Sequence, residues 1–461
     1  MSYHHFLHSP LSYWKQKANR RALLFLVPAV CTGFAATLLA KTAGLGFSFF
    51  EAMLARRPWW PFLALPLGGL LLTWFLRRVG PGAEGSGIQQ TIAAMKVAQT
   101  PERLSSLVSL RLALVKFVAV VGGLGSGFVL GLEGPTVQIG AGIFNSFRRF
   151  LPSDAELFRR RLIAVGGAAG IAAAFNAPLA GLMFAFEEMS LSTKGHTPAR
   201  LALAVILSGL VAQPLFGWNS YFGHIEALSG GIPLRFLPLL AVLALSGGLL
   251  GGVFSWLVVR ASAWLPSPIW RFRLNHPYIY VMCSGLIVAS CGLAVPIFGS
   301  GMETTHAMLA GGTLPPWYYL PCKFMGLLAT YLTGLPGGIF APSFSLGAGL
   351  GSWFAPLVGP HWQSEFIAVG MVAVLAGVTR APLTAAFIML EMTNGHSMTL
   401  PALGAAFCAA WAARFFRVRF YHELAERILR HGYAPRPNAK EPRPPSGPET
   451  PPAGVEPASS K

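Results

Sequence analysis

Acidic residues are scarce in this chain. Of its 461 residues, 17 are Asp or Glu and 35 are Lys or Arg, and Asp154 is the only aspartate. A single aspartate excludes an aspartyl dyad, and neither HExxH nor GxSG occurs, so the sequence lacks the groups that an intramembrane hydrolase needs. We therefore expect a protein that is not an enzyme and that requires no cofactor.

Patterns that bind metals or form disulfides are also missing. The five cysteines lie in apolar segments without CxxC spacing, which predicts packing residues and neither a disulfide framework nor a metal site. The run from His422 to Glu426 resembles HExxH only superficially. We expect no metal-binding or pH-sensing role for any of the eleven histidines.

Apolar sequence, in contrast, is abundant. Hydrophobic residues make up 53% of the chain and charged residues 11%, and apolar segments follow one another from residue 23 to residue 416. This pattern predicts a multi-pass integral membrane protein in a lipid bilayer. Four basic residues between 15 and 21 precede the apolar region, and five between 414 and 430 close it. By the positive-inside rule we expect both termini in the cytoplasm, and therefore an even number of crossings. The expected location is the cell (inner) membrane. This topology also explains the net charge of +18, so we expect no binding to nucleic acid.

The sequence also repeats itself. Residues 116–135 align with residues 323–342 at an offset of 207, and both segments begin with Lys-Phe. At an offset of 204 Glu187 aligns with Glu391, and at 214 the Gly-Ser-Gly of residues 85–87 aligns with that of 299–301. We infer two homologous halves, 22–215 and 236–430, joined by a connection over 216–235. A cytoplasmic segment (1–21) precedes them, and a disordered, proline-rich cytoplasmic tail (431–461) without a soluble domain follows.

Glycine and proline interrupt the apolar stretches. They leave pieces too short to cross about 30 Å of hydrocarbon: 135–150, 177–191, 340–357 and 382–394. Such pieces must be half-helices buried against protein, because unpaired backbone in lipid is too costly. The expected fold is an all-α integral membrane protein with two inverted-topology repeats of tilted, broken and re-entrant helices, as in many transporters.

Helices that begin inside a membrane favour anions, because their first N–H groups are free and their dipole end is positive. GSGIQQT (85–91) and GGIFAP (337–342) have the glycines and the proline that such a start requires. The other interpretation is that these glycines only let helices pack closely. The pairing of the breaks by the repeat favours anion sites.

Glu133 lies at one of these breaks, in GLEGP (131–135), where the other half has Phe340. A carboxylate inside the membrane is costly unless it is paired, protonated or in a polar cavity. It could occupy an anion site as a tethered anion and leave when it is protonated. It could equally be a structural acid that accepts hydrogen bonds from backbone amides.

These motifs resemble one family, the CLC chloride channels and chloride/proton exchangers, and within it the bacterial exchangers without CBS domains. The resemblance covers residues 25–430. GSGI (85–88), GLEGP (131–135) and GGIFAP (337–342) are similar to GSGIP, GREGP and GxFxP of the family, and AAAFNAPLAG (172–181) is similar to its bacterial exchangers. RFYHELAERIL (419–429) resembles the final helix that carries the pore tyrosine.

The resemblance implies a role for each matching residue. Glu133 would be the external gate, and Glu188, which aligns with Met392 in the other half, would be the internal proton-transfer acid. A serine at position 86 resembles chloride-preferring members, and the family forms homodimers. The expected anion-binding residues are Ser86, Gly87, Ile88, Ile339, Phe340 and Tyr421, with hydroxyls from Ser86 and Tyr421 and amides from Ile339 and Phe340.

Two positions depart from the family pattern. Leu132 replaces the arginine of GREGP, and Gln89 replaces the proline of GSGIP.

Lys116 and Lys323 occupy equivalent positions in apolar segments. Lys116 could create an electrostatic potential that attracts anions, or it could extend to a membrane interface as membrane lysines commonly do.

The expected function is secondary active antiport of chloride and protons, with these two ions as substrates. The alternative is a passive voltage- or pH-gated chloride channel of the same fold. Glu188 favours the exchanger, because the resemblance ties an acid at that position to exchangers.

Overall fold

The computed structural model describes residues 10–150, 156–190, 198–216, 222 and 232–431. The predicted tail lies outside this range apart from residue 431, as does most of the predicted connection. The N-terminal segment is described only from Pro10. The domain boundaries inferred above therefore stay predictions.

The described residues are almost entirely helical, and their extended pairing is confined to one β-bridge between Gly131 and Gly338. Nine helices lie in the first half: α1 Pro10–Arg56, α2 Pro61–Val79, α3 Ile88–Lys96, α4 Pro101–Ser105, α5 Leu110–Gly125, α6 Glu133–Ser146, α7 Glu156–Ala174, α8 Pro178–Glu187 and α9 Pro198–Phe216. Eleven follow: α10 Leu237–Val259, α11 Ala261–Trp264, α12 Ser267–Asn275, α13 Pro277–Ala294, α14 Met302–Leu309, α15 Tyr319–Thr333, α16 Phe340–Val358, α17 Gln363–Thr379, α18 Pro382–Thr393, α19 Thr399–Ala413 and α20 Phe420–His431.

Within this described part, seven helices are long and apolar enough to cross a membrane. The interrupted pieces predicted from glycine and proline are confirmed as the separate helices α6, α8, α16 and α18. Pro178 and Pro382 open α8 and α18, where a missing N–H costs nothing. The helix α6 begins two residues before the predicted Pro135, so Glu133 is its first residue.

The two halves pack in the same way. The helix α6 packs on α7 as α16 packs on α17, and each half contributes one partner to the contacts of α2 with α13 and of α8 with α18. Contacts between equivalent helices are those that a twofold axis produces, as inverted repeats require. The predicted arrangement of two repeats of broken helices is confirmed.

Two aligned glutamates make this symmetry visible in hydrogen bonds. Glu187, at the end of α8, accepts bonds from the backbone N–H groups of Leu383 (2.9 Å) and Thr384 (2.7 Å) at the start of α18. Glu391, on α18, accepts bonds from Leu179 (3.1 Å) and Ala180 (2.7 Å) at the start of α8. Each carboxylate thus caps the N-terminus of the opposite helix and stabilises its free donors.

Several repeated glycines serve only close packing. A Cβ added to Gly166 would lie 2.6 Å from the carbonyl oxygen of Gly140, and the aligned pair Gly347 and Gly370 is packed as closely. At these four positions no side chain fits between the two helices, so the glycines allow close packing.

Candidate functional site

Three helix N-termini meet at the contact between the two halves. Gly131 and Gly338 exchange two backbone hydrogen bonds, of 2.8 and 2.7 Å, just before α6 and α16 begin. A Cβ added to Gly134 would lie 2.7 Å from the Ser86 carbonyl oxygen and 3.2 Å from the Gly338 Cα. The starts of α3, α6 and α16 are therefore in van der Waals contact.

The loop before α3 takes a shape that only glycine adopts easily. Gly85 and Gly87 have φ angles of +66° and +113°, which place them in the left-handed region or beyond it. A Cβ on Gly87 would meet the carbonyl oxygen of Gly134. Ser86 lies between these glycines, and Ile88 is the first residue of α3.

Two buried hydroxyls lie beside these helix starts. Ser86 is completely buried, and the Tyr421 hydroxyl of α20 lies beside its side chain. Among the described residues neither oxygen meets the geometry of a hydrogen bond. The Phe340 ring lies 6.2 Å from the Tyr421 ring, between centroids. Both hydroxyls can therefore donate to an anion held at the start of α16.

The Glu133 carboxyl points at the N-terminus of α16. It is 5% exposed and lies near the backbone N–H groups of Ala341 and of Glu133 itself, and among the described residues its Oε2 has no hydrogen-bond partner. Its Oε2 is close to the Gly338 backbone, since a Cβ added there would lie 2.9 Å from it. The first N–H groups of α16 have no acceptor within their own helix, so a carboxylate here lies where an inorganic anion would also bind.

Glu188 belongs to a different part of the molecule. It ends α8, is also 5% exposed, and its Oε1 lies 3.6 Å from Nδ1 of His422. Arg419 is close enough to interact with the same carboxyl. Tyr421 is within electrostatic reach of both Glu133 and Glu188. The α20 segment therefore connects the two acids.

A basic cavity of about 690 Å³ opens beside α20. Its lining contains six basic and two acidic side chains: Lys96, Arg380, Arg414, Arg417, Arg419, His422, Glu423 and Glu426. The excess of positive charge attracts anions toward this mouth. His422 lines the cavity and its Nδ1 also lies 3.6 Å from Glu188, so His422 lies between the cavity and that acid.

Lys116 has a structural partner. Its Nζ is completely buried and donates to the carbonyl oxygen of Gly85 at 2.9 Å, in the loop that carries Ser86. Lys323 repeats this arrangement with Ile297 (2.8 Å) and Gly299 (3.4 Å). The interpretation that Lys116 extends to a membrane interface is wrong, because its ammonium group is enclosed by protein. Its electrostatic role stays a prediction.

The two departures from the family pattern lie inside the site. Leu132 precedes α6, and its side chain packs against the apolar core. Gln89 is buried in the first turn of α3, and its side chain lies near the Tyr331 hydroxyl. The sequence did not indicate Tyr331, whose hydroxyl is also within electrostatic reach of Tyr421.

The predicted site residues are thus brought together in part. Ser86, Tyr421, Phe340 and Glu133 converge on the start of α16, whereas Glu188 is buried beside His422, which lines the basic cavity. The sequence did not predict the contact between His422 and Glu188. The position of His422 beside Tyr421 was the only signal in the sequence that it faces the same interior.

Known proteins are similar to this chain in sequence. The family described as Voltage gated chloride channel matches residues 68–414. The H+/Cl− exchange transporter ClcA of Citrobacter koseri is 35% identical over 373 residues, covering 77% of this chain and 76% of that protein. ClcA of Salmonella typhimurium is 34% identical over 373 residues, with the same coverage.

Solved structures give the same result. A slow cyanobacterial Cl−/H+ antiporter is similar with a TM-score of 0.74 and 26% identity, over 89% of this chain and 98% of that one. A CLC-type fluoride/proton antiporter shares the fold, with a TM-score of 0.72 and 23% identity over 88% and 97% of the two chains. The family match covers the helix starts around Ser86, Glu133 and Phe340, and the chain belongs to the voltage-gated chloride channel (CLC) family.

Proposed function

We propose that this protein is a secondary active antiporter that exchanges chloride for protons across the cell membrane. One observation carries the proposal. The Glu133 carboxyl lies against the N-terminal amides of α16, next to the hydroxyls of Ser86 and Tyr421. A titratable group and an anion would therefore compete for the same donors, which couples proton binding to chloride binding.

The competition gives a simple exchange step. An ionised Glu133 is attracted to the free N–H groups and blocks the anion position. Protonation removes that charge, and the side chain can then leave while chloride takes its place. Chloride would be held by the amides of Ile339 and Phe340 and by the two hydroxyls, with Gly87 and Ile88 shaping the start of α3.

Protons need a second site on the other side of the chloride position. Glu188 is suited to this, because it is buried and still reaches the basic cavity through His422. We assign it the internal transfer of protons. The relatives named as H+/Cl− exchangers support antiport over passive conduction.

The remaining assignments rest on family membership and on the charge pattern. We propose a homodimer in the inner membrane with both termini in the cytoplasm. The basic cavity beside α20 would then face the cytoplasm, consistent with the positive-inside rule.

Reconstituted protein tests the proposal. Liposomes loaded with chloride and diluted into low-chloride buffer should take up protons against a proton gradient as chloride leaves. Glu188→Gln should keep chloride efflux and lose proton uptake. Chloride efflux without proton uptake in the unmodified protein would mean a passive channel and would overturn the proposal.

A further inference from the structure

We propose that His422 relays protons between the basic cavity and Glu188. The proposal rests on the antiport function above and adds a residue to its proton pathway. It is based on the position of His422, whose imidazole contacts the buried Glu188 and also lines the basic cavity. None of the other residues that line the cavity contacts Glu188 by an ion pair among the described residues.

The contact with Glu188 has the right atoms. Nδ1 of His422 lies 3.6 Å from Oε1 of Glu188, and the two side chains are 28% and 6% exposed. This distance exceeds a direct hydrogen bond, and one bridging water or a small rotation of either side chain closes it. Glu188 thus reaches solvent through His422 although it is itself shielded.

The surroundings of His422 favour the neutral form of its ring. Burial lowers the pKa of His422, and the positive charges of Arg419 and Lys96 lower it further, while Glu426 raises it. Glu426 is held by a salt bridge of 3.4 Å to Lys96 on α3, the helix on which α20 packs.

The other helices against α20 contribute further charges. Arg260 ends α10 and lies 4.0 Å from Glu423, and Arg380 ends α17 and lines the cavity. Burial and the charges of Arg419 and Lys96 favour the neutral imidazole, and a neutral imidazole is both a proton acceptor and a proton donor.

The relay step balances without any other reactant. A proton from cavity water binds Nε2 of the neutral ring, and the proton on Nδ1 passes to the Glu188 carboxylate. The ring is left neutral with its proton on Nε2, and exchange with water restores the Nδ1 tautomer. Transport in the opposite direction reverses each step.

The experiment records proton and chloride fluxes together in liposomes. His422→Ala should lower proton flux by about tenfold or more, the range expected for loss of a positioned acid–base group, with chloride flux reduced far less. His422→Gln should behave alike, since its amide N–H can donate a hydrogen bond to Glu188 but cannot transfer a proton. His396→Gln, at an exposed histidine before α19, is the matched control and should leave both fluxes unchanged.

Added imidazole separates a relay from a structural role. Millimolar imidazole should restore proton flux in His422→Ala and should not do so in Glu188→Gln. The relay is overturned if His422→Gln transports protons like the unmodified protein, or if imidazole has no effect on His422→Ala. If the unmodified protein moves no protons with chloride, the antiport proposal fails as well. Normal coupling in His422→Ala would overturn the relay alone.

Discussion

Replacing Glu187 by glutamine is expected to destabilise the protein and to leave proton coupling intact. The carboxylate accepts three hydrogen bonds at the start of α18, from the N–H groups of Leu383 and Thr384 and from the Thr384 hydroxyl at 2.8 Å. Glutamine has one acceptor oxygen and no charge, so it loses at least one bond and the favourable interaction with the helix dipole. At about 1.5–3 kcal/mol for a bond to a charged group and up to ~1 kcal/mol for the dipole, the loss is about 2–4 kcal/mol.

The thermal assay can detect this change. The entropy of unfolding is about 2 cal/mol/K per residue, so 1 kcal/mol shifts the Tm of a chain of this size by about 1 °C. Glu187→Gln should therefore lower the Tm in detergent by roughly 2–4 °C. Glu391→Gln, which loses contacts to two N–H groups, is the symmetry-related control and should lower it by the same amount or less.

Replacing Glu187 and replacing its neighbour Glu188 should affect different properties of the protein, stability in the first case and proton uptake in the second. Glu188→Gln should abolish proton uptake with little change in Tm, because no described backbone amide depends on its carboxylate. If Glu187→Gln left the Tm unchanged and abolished proton uptake, the structural role assigned to Glu187 would be wrong.

Three further substitutions test the anion site. Glu133→Ala should stop proton transport while chloride still flows, measured as parallel fluxes, since nothing then competes for the amides of α16; loss of both fluxes would contradict the gate. Tyr421→Phe should weaken chloride binding in calorimetry by about 1.5–3 kcal/mol, roughly ten- to a hundredfold in Kd, and unchanged binding would remove the hydroxyl from the site. Lys116→Met should lower both stability, by about 1–3 kcal/mol, and chloride affinity, because the loop carrying Ser86 loses its ammonium partner. The equivalent Lys323→Met is the control and should lower stability without changing chloride affinity. If Lys116→Met also bound chloride as tightly as the unmodified protein, Lys116 would have no role at the site.

The sequence could predict the broken helices because glycine and proline act locally. Pro178 and Pro382 open helices where their missing N–H is harmless, and the repeat places them at equivalent points. The repeat also separated Glu187, which has a counterpart in Glu391, from Glu188, which has none. The reciprocal capping bonds give the physical reason for that difference.

The sequence could not predict what depends on contacts across the fold. Lys116 had two open interpretations, and only its enclosure beside Gly85 decides against a membrane interface. His422 meets Glu188 through the packing of α20 against the membrane helices, and α20 lies beyond the segments that the repeat aligned. Comparing the two halves therefore gives no information about that contact.

The reversal potential in a planar bilayer tests the central claim most directly. With equal chloride on both sides and a tenfold proton gradient, a coupled exchanger reverses at a voltage different from zero, because protons contribute to its driving force. We expect that shift in the unmodified protein and its disappearance in Glu133→Ala and Glu188→Gln. A reversal potential that stays at zero in the unmodified protein and follows the chloride gradient alone would contradict the account.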